Sequence, residues 1–355
     1  LPLPECCALV LQGGGALGSY QAGVYEALHD WQVPINWVAG ISIGAINAAL
    51  IAGNPPERRV ERMRQFWENA TSTLPEFPIF PAEQAHEFAN EMSAAWVAMT
   101  GVPGFFAPRW WPPLLATPGT PAALSLYDTA PLRETLVRLV DFELLNDGPV
   151  RFSVGAVNVR TGNFVYFDSR ERRITPEHIM ASGALPPGLP PIEIDGELYW
   201  DGGIVSNTPL QHVLDHQDAP TLIFQVDLFP AEGPVPTTLF EAAEREKDVR
   251  YSSRTRLSTD MLLKQRKLKV ALRTLLDRLP PELRDGDDFE ALCEAAQELP
   301  VAVVHLIHRA RRWESQSKDY EFSRRSMLDH WAAGSADVRR TMHKSGVLAR
   351  NIVDG

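Results

Sequence analysis

The pentapeptide Gly40-Ile41-Ser42-Ile43-Gly44 constrains this chain more than any other stretch. Before it, Trp37-Val38-Ala39 is apolar and reads as a buried strand. After it, Ala45 to Leu50 is mostly small and apolar and reads as a helix packed on a sheet. The chain must therefore turn from strand to helix within very few residues. A glycine on each side of Ser42 supplies the torsional freedom and the room for that turn. The product is a nucleophile elbow, G-x-S-x-G, with the serine exposed at a helix N-terminus, where backbone amides favour negative charge. A Gly-Ser turn that only lets a helix pack closely would need the same glycines, so the rest of the chain has to decide between the two.

Upstream, Ala8-Leu9-Val10-Leu11 is a short apolar strand that runs into Gly13-Gly14-Gly15-Ala16-Leu17-Gly18, and a helix follows to Trp31. The six residues match G-x-G-x-x-G, the dinucleotide fingerprint, but that fingerprint wants a carboxylate at the end of the next strand to hold a ribose. Here that strand ends in Gly40-Ile41-Ser42, with no carboxylate. The competing assignment is an oxyanion hole. Acyl transfer needs backbone N–H groups aimed at a developing O⁻, and a run of glycines exposes them without side chains in the way. A plain glycine-rich turn is the structural alternative; it would carry the backbone entropy of three consecutive glycines for no packing gain.

A second chemically suggestive position lies far downstream. Ile192-Glu193-Ile194 and Glu197-Leu198-Tyr199-Trp200 flank Asp195-Gly196 as a hairpin, and the second strand delivers Asp201-Gly202-Gly203. Asp-Gly is a common turn dipeptide, so Asp201 gains its meaning from Ser42 and the glycine loop. If both sit at ends of parallel strands, one edge of a sheet would bring Ser42 and Asp201 together.

The remaining chain divides unevenly. Arg58 to Trp67 reads as helix. Residues 71–125 form a long proline- and aromatic-rich insertion with Phe105-Phe106 and Trp110-Trp111, expected to border the Ser42 cleft as acyl pocket or lipid contact, or else to cover the sheet edge. Asp128 caps a helix from Ala130. Arg151 to Val159 and Asn163 to Phe167 read as a hairpin, Thr175-Pro176 opens a short helix, and Pro186-Pro187-Gly188-Leu189-Pro190-Pro191 reads as a rigid extended crossing. Thr221 to Phe229 and Val301 to Ile307 are further strands, and Leu257 to Leu279 is a helix whose Lys264, Arg266, Lys267 and Lys269 fit a solvated face. The organisation expected is a catalytic domain over 1–230 and a mostly helical extension over 231–355 packed on it. Within the extension, Lys318-Asp319-Tyr320-Glu321-Phe322 is a charged-aromatic knot to which no chemistry can be assigned from sequence.

Composition narrows the partners. A formal net charge of −11 argues against nucleic acid and against a generally basic face for anionic membranes. Adjacent Cys6 and Cys7 would point to opposite faces of a strand, and with Cys293 they suggest core packing in a reducing compartment rather than a disulfide framework or a metal site. No secretory signal is visible, and the longest apolar run is too short to span a bilayer. The expected location is cytoplasmic, with peripheral membrane contact allowed.

Taken together, Gly13-Gly14-Gly15-Ala16-Leu17-Gly18, Gly40-Ile41-Ser42-Ile43-Gly44 and Asp201-Gly202-Gly203 resemble the three ordered motifs of the patatin-like phospholipase family. Ala181-Ser182-Gly183-Ala184-Leu185-Pro186-Pro187 and Asn207-Thr208-Pro209 resemble the segments around that family's catalytic aspartate, and the C-terminal part resembles the extension of one bacterial subgroup. The resemblance implies an α/β fold of three layers, α/β/α, around a mostly parallel sheet. It implies a serine acyl hydrolase of lipase or phospholipase A type, acting on lipid esters through an acyl-enzyme without cofactor or metal. Ser42 would be the nucleophile and Asp201 the base. Gly13, Gly14, Gly15 and Ala16 would form the oxyanion hole, with Gly18, Gly40, Gly44, Gly202 and Gly203 shaping the turns. One position departs from the pattern: Leu17 stands where the family usually has Arg or Lys, which weakens the case for phosphate-bearing substrates.

Two other functions remain open at this level. A Ser-His-Asp hydrolase would take Ser42, Asp227 and His305 or His308, in the chain order such enzymes use, but would leave Asp201-Gly202-Gly203 unexplained. A non-catalytic interaction protein could keep the fold and use the extension to bind a partner.

Overall fold

The structure, a computed structural model, describes residues 3–72, 83–252, 255–296, 299–309 and 317–343. Ten strands are present among them: β1 (Cys6–Leu11), β2 (Trp37–Gly40), β3 (Ala107–Pro108), β4 (Tyr127–Asp128), β5 (Arg151–Asn158), β6 (Phe164–Asp168), β7 (Ile192–Ile194), β8 (Glu197–Asp201), β9 (Thr221–Asp227) and β10 (Val301–Ile307). Eight of them form one sheet in the order β10-β9-β1-β2-β5-β8-β7, with β6 also on β5, while β3 and β4 make a separate two-stranded ribbon. The pairs β10/β9, β9/β1, β1/β2 and β2/β5 are parallel. The hairpin pairs β5/β6 and β7/β8, and the pair β5/β8, are antiparallel.

Both faces of the sheet are covered, and the two-residue period of the strands shows how. Cys7, Leu9 and Leu11 of β1, Val38 of β2 and Leu222, Phe224 and Val226 of β9 point into the main core. Ala8 and Val10, Trp37 and Ala39, and Ile223 point the other way, against Leu210, Val213 and Leu214 of the Leu210–Asp215 helix. Strands buried on both sides carry continuous apolar runs, as these do. The architecture is three-layer α/β/α with a mostly parallel sheet. Cys7 lies in the main core and Cys6 packs on the opposite face; both, and Cys293, are free.

The region beyond residue 230 contributes to this sheet. β10 extends it at one edge, in register with β9 from Val301↔Thr221 to Ile307↔Asp227. The Arg324–Met342 helix lies against the Gly18–Asp30 helix, where Tyr20 Oη donates to Asp337 (2.6 Å) and Trp331 Nε1 donates to Glu26 (2.6 Å). No helix among the described residues is long and apolar enough to cross a membrane.

One local expectation fails. Residues 186–189 form a turn rather than an extended crossing. Leu189 retains its N–H although prolines surround it, and it donates to the Leu185 carbonyl at 2.9 Å. A chain with that donor free and Gly188 beside it folds back instead of staying straight.

Candidate active site

Ser42 sits where β2 breaks into the Ile43–Ala52 helix. Its backbone has φ 55° and ψ −123°, a conformation of order 1–3 kcal/mol above the usual minima for a residue with a side chain. The neighbours enforce it. A Cβ on Gly44 would lie 2.3 Å from the Leu11 carbonyl oxygen, so the helix start can press against the end of β1 only with glycine there. A Cβ on Gly40 would lie 2.3 Å from the Gly44 carbonyl. The turn is closed by the Gly44 N–H to Ile41 O bond (2.8 Å), and the Ser42 N–H donates to Ser182 Oγ (3.0 Å) from the Pro176–Ser182 helix.

Asp201 reaches Ser42 by a route that parallel strand ends do not provide. β2 pairs β5 over 151–154, β8 pairs it over 156–158, and β6 pairs it over 153–157. Because β6 overlaps both of the others, β2 and β8 must share the opposite edge of β5. They meet there head-on: Gly40 is opposite Val154 and Asp201 opposite Ala156. The two C-terminal ends thus converge. The Ser42 hydroxyl lies close enough to the Asp201 carboxylate to lower its pKa, and that carboxylate accepts the Gly203 N–H at 2.7 Å. Asp201 is almost fully buried, and burial pushes its carboxyl up to about 7 against the opposing pull of those two groups. Gly202 packs on the Gly155 backbone, and Gly18 packs against Ile43.

The glycine loop faces the same space. Gly13, Gly14 and Gly15 line a cavity of about 400 Å³ together with Ser42 and Asp201. Of the four amides considered for an oxyanion hole, two are engaged inside the protein: Gly13 N–H donates to Asn207 O (3.2 Å) and Ala16 N–H to Asp319 O (2.9 Å). Gly13 and Ala16 are buried, whereas Gly14 and Gly15 are half-buried, and among the described residues the amides of Gly14 and Gly15 have no acceptor. The set of four therefore narrows to Gly14 and Gly15.

The aromatic insertion divides. Residues 73–82, with Pro75, Pro78 and Pro81, lie outside the described residues. Val97, Phe105 and Phe106 line the cavity, with Tyr127 of β4 and Leu189. Trp110 and Trp111 stand in solvent instead, the first with its side chain wholly exposed. Leu17 is buried in the core and does not reach the cavity.

Several residues at the site carry no signal that sequence reasoning could read alone. Gln12 accepts the Leu228 and Phe229 N–H groups (2.6 and 2.9 Å) and donates to the Tyr251 carbonyl (3.0 Å). Asn207 donates to both Gly13 O and Tyr251 O at 3.0 Å. The Asn207-Thr208-Pro209 resemblance marks that residue, but nothing in it says what it holds. The histidines of the competing triad lie elsewhere. Asp227 is engaged by Gln225 Nε2 (2.8 and 2.9 Å), His308 packs against Tyr20 and His330, and His305 is exposed. No histidine among the described residues lines the cavity.

The fold and site define a three-layer α/β/α protein with a serine at a nucleophile elbow. The patatin-like phospholipase family model matches residues 9–214, and a second, described as patatin phospholipase, matches residues 249–352. The chain belongs to the patatin-like phospholipase family. Among curated relatives, a patatin-like phospholipase domain-containing protein of Caenorhabditis elegans is 27% identical over 205 residues, covering 57% of this chain and 12% of that protein. A lysophospholipase of Aspergillus terreus is 26% identical over 205 residues, covering 58% of this chain and 11% of that protein. The chain thus spans about an eighth or less of the length of these relatives. Among solved structures, human group IVD cytosolic phospholipase A2 aligns with a TM-score of 0.46 at 12% identity, covering 99% of this chain and 60% of that one. VipD from Legionella pneumophila aligns with a TM-score of 0.41 at 14% identity, covering 96% and 67%.

Proposed function

We propose that this protein is a serine acyl hydrolase that cleaves lipid acyl esters with a Ser42–Asp201 dyad. The observation that carries the proposal is a strained serine beside a buried aspartate, both lining a mainly apolar cavity that Gly14 and Gly15 also line. Ser42 Oγ attacks the ester carbonyl carbon while Asp201 takes its proton. The carbonyl oxygen becomes an oxyanion and accepts from Gly14 and Gly15 N–H. Asp201 then returns the proton to the departing alcohol oxygen, leaving an acyl-Ser42 ester. Water attacks that ester with Asp201 again as base, and the carboxylic acid leaves with Ser42 restored. A carboxyl at its ordinary value of about 3.9 is a poor base at neutral pH. One raised to about 7 matches the operating pH, as general base catalysis favours. Val97, Phe105 and Phe106 supply the apolar wall an acyl chain would occupy.

The same reading gives the exposed loop a purpose. From Trp110 to Leu126 the chain carries no charged residue, and Trp110, Trp111, Leu114 and Leu115 are exposed. The loop hangs from β3 and β4, and Leu126 and Tyr127 donate backbone bonds to Pro187 and Gly188 at the cavity wall (3.1 and 2.9 Å). An uncharged apolar tip on an acidic protein suits a zwitterionic lipid surface beside the cavity mouth.

Labelling with a fluorophosphonate probe tests the chemistry. Wild type should be labelled at Ser42 and Ser42→Ala should not be, and comparison of lipids hydrolysed by wild type and Asp201→Asn identifies the substrate. Unlabelled wild type without lipid turnover would leave the family fold in a non-catalytic role. For the loop, the Trp110→Ser/Trp111→Ser double variant should lose about a hundredfold or more in binding to phosphatidylcholine vesicles, given the apolar area of two tryptophans. It should still hydrolyse a soluble short-chain ester at the wild-type rate.

A further inference from the structure

The knot at 318–322 lies against the glycine loop. The Asp319 carbonyl accepts the Ala16 N–H at 2.9 Å. A Cβ on Gly15, where φ is 53°, would lie 2.1 Å from that same oxygen. The peptide that carries the Ala16 N–H directly follows Gly15, so this bond restrains the torsions of a residue that, as glycine, would otherwise have wide freedom. It does so next to the two amides that, among the described residues, have no acceptor of their own.

What holds Asp319 there is one helix of the C-terminal region, Leu239–Tyr251. Lys318 Nζ, almost fully buried, reaches Asp248 at 2.7 Å and Glu244 at 3.1 Å, and Lys247 Nζ reaches the Asp319 carboxylate at 2.5 Å. The last residue of that helix, Tyr251, accepts from Gln12 and from Asn207, the side chain that also donates to Gly13 O. Both ends of the glycine loop are therefore gripped from beyond residue 230. Ser93 Oγ, from the Glu83–Thr100 helix, donates to Glu321 at 2.6 Å, and Tyr320 and Phe322 line the cavity.

We propose that residues 317–322 are a positioning strap for the oxyanion hole. The strap, ion-paired to the Leu239–Tyr251 helix, fixes the Gly14–Ala16 backbone through the Asp319 carbonyl and closes one wall of the acyl cavity. The proposal rests on the acyl-hydrolase reading for its effect on turnover, but the grip on Ala16 can be measured without it.

The test uses the full chain and Lys318→Met, with Lys318→Arg as the conservative partner. In Lys318→Met, amide hydrogen exchange of the peptide holding Ala16 should quicken about tenfold or more as the hydrogen bond opens. Turnover per folded molecule should fall about tenfold, less than the loss of a whole oxyanion donor, with KM for a short ester within about threefold of wild type. The pH midpoint set by Asp201 should not move, and Lys318→Arg should recover most of the turnover. If Lys318→Met does not fold, Lys247→Gln, which removes a partly exposed ion pair, should show the same two changes at about a third of the size or more. Unchanged exchange at Ala16 in a folded variant would overturn the strap. Faster exchange with unchanged turnover would overturn its positioning role. Failure of the hydrolase reading looks different: Ser42→Ala would retain wild-type turnover, while the exchange result would still decide whether the strap holds the loop.

Discussion

Two buried aspartates on the same sheet behave in opposite ways. Asp201 lies at the end where β2 and β8 converge, where among the described residues the Ser42 hydroxyl and the Gly203 amide are what lower it, and burial dominates, pushing its carboxyl up to about 7. Asp168 lies at the other end, beside the start of β5, and is fully buried. Burial pulls it upward too, but hydrogen bonds from His212 (3.2 Å), Ser153 (2.7 Å) and the Arg170 N–H (2.9 Å), with the Arg151 guanidinium at 2.8 Å, hold it down at about 2. The second cluster is sealed further by Trp37 Nε1, which donates to Ser153 Oγ (2.8 Å), and by Arg151 stacked over the Trp37 ring. Burial does not by itself decide which way a carboxylate's value moves. The difference lies in the partners: a neutral hydroxyl and one amide leave desolvation uncompensated, whereas a guanidinium with several donors overcomes it.

The sharpest way to break this contrast is to remove each group in turn. Ser42→Ala and Asp201→Asn should each lower ester turnover by about a thousandfold or more, by similar amounts, because groups acting as a unit are not additive. Single replacement of each of the nine histidines should leave substantial activity. One histidine variant matching Ser42→Ala, beside an active Asp201→Asn, would replace the dyad with a triad.

Asp168→Asn should do the reverse. Turnover per folded molecule should stay within a few-fold of wild type, while unfolding in denaturant should show a loss of about 3–5 kcal/mol, because Arg151 is left buried without its partner. A large loss of turnover in fully folded Asp168→Asn would erase the division between a reactive and a structural end.

Stability against pH separates the two aspartates by sign. Asp201 has a raised folded value, so its contribution is intact below the unfolded value of about 3.9 and is lost as pH rises through about 7. Asp168 has a lowered folded value, so its contribution is present above about 3.9 and is lost as pH falls towards about 2. Denaturant melts of Asp201→Asn and wild type should therefore diverge between pH 5 and pH 8, the variant gaining on the order of 2 kcal/mol relative to wild type. Wild-type kcat/KM should climb about tenfold per pH unit below 7 and level off above it.

The smallest expected effect concerns the apolar wall. Phe105→Ala should raise KM for long-chain esters by about fivefold, the low end of the about 1–3 kcal/mol for a lost apolar contact, and leave short-chain esters nearly unchanged. Trp110→Ala, outside the cavity, should leave the chain-length preference on soluble esters unaltered. An equal effect of Phe105→Ala on both chain lengths would remove that residue from acyl recognition.

The parts of the site written in near neighbours were legible in the chain. A serine between two glycines, with a strand before and a helix after, leaves the backbone one compact way to turn, so the elbow at Ser42 follows from Gly40 and Gly44. The two hairpins around Thr161-Gly162 and Asp195-Gly196 follow from alternation and turn residues in the same way. The aromatic insertion was legible only in composition. Phe105 and Trp110 look alike in the sequence, and packing alone sends one into the cavity and the other into solvent.

Other features depend on distant partners, and local sequence carries no record of those. That Asp201 meets Ser42 depends on β2 and β8 sharing one edge of β5, a register between segments more than a hundred residues apart. Which glycine-loop amides remain open depends on the Asn207 and Asp319 carbonyls. The role of 318–322 depends on ion pairs with the Leu239–Tyr251 helix. The value of each carboxylate depends on what the fold places beside it. Sequence determined the turns because φ and ψ answer to adjacent residues; tertiary structure decided the pairings, because hydrogen bonds and desolvation answer to whatever lies nearest in space.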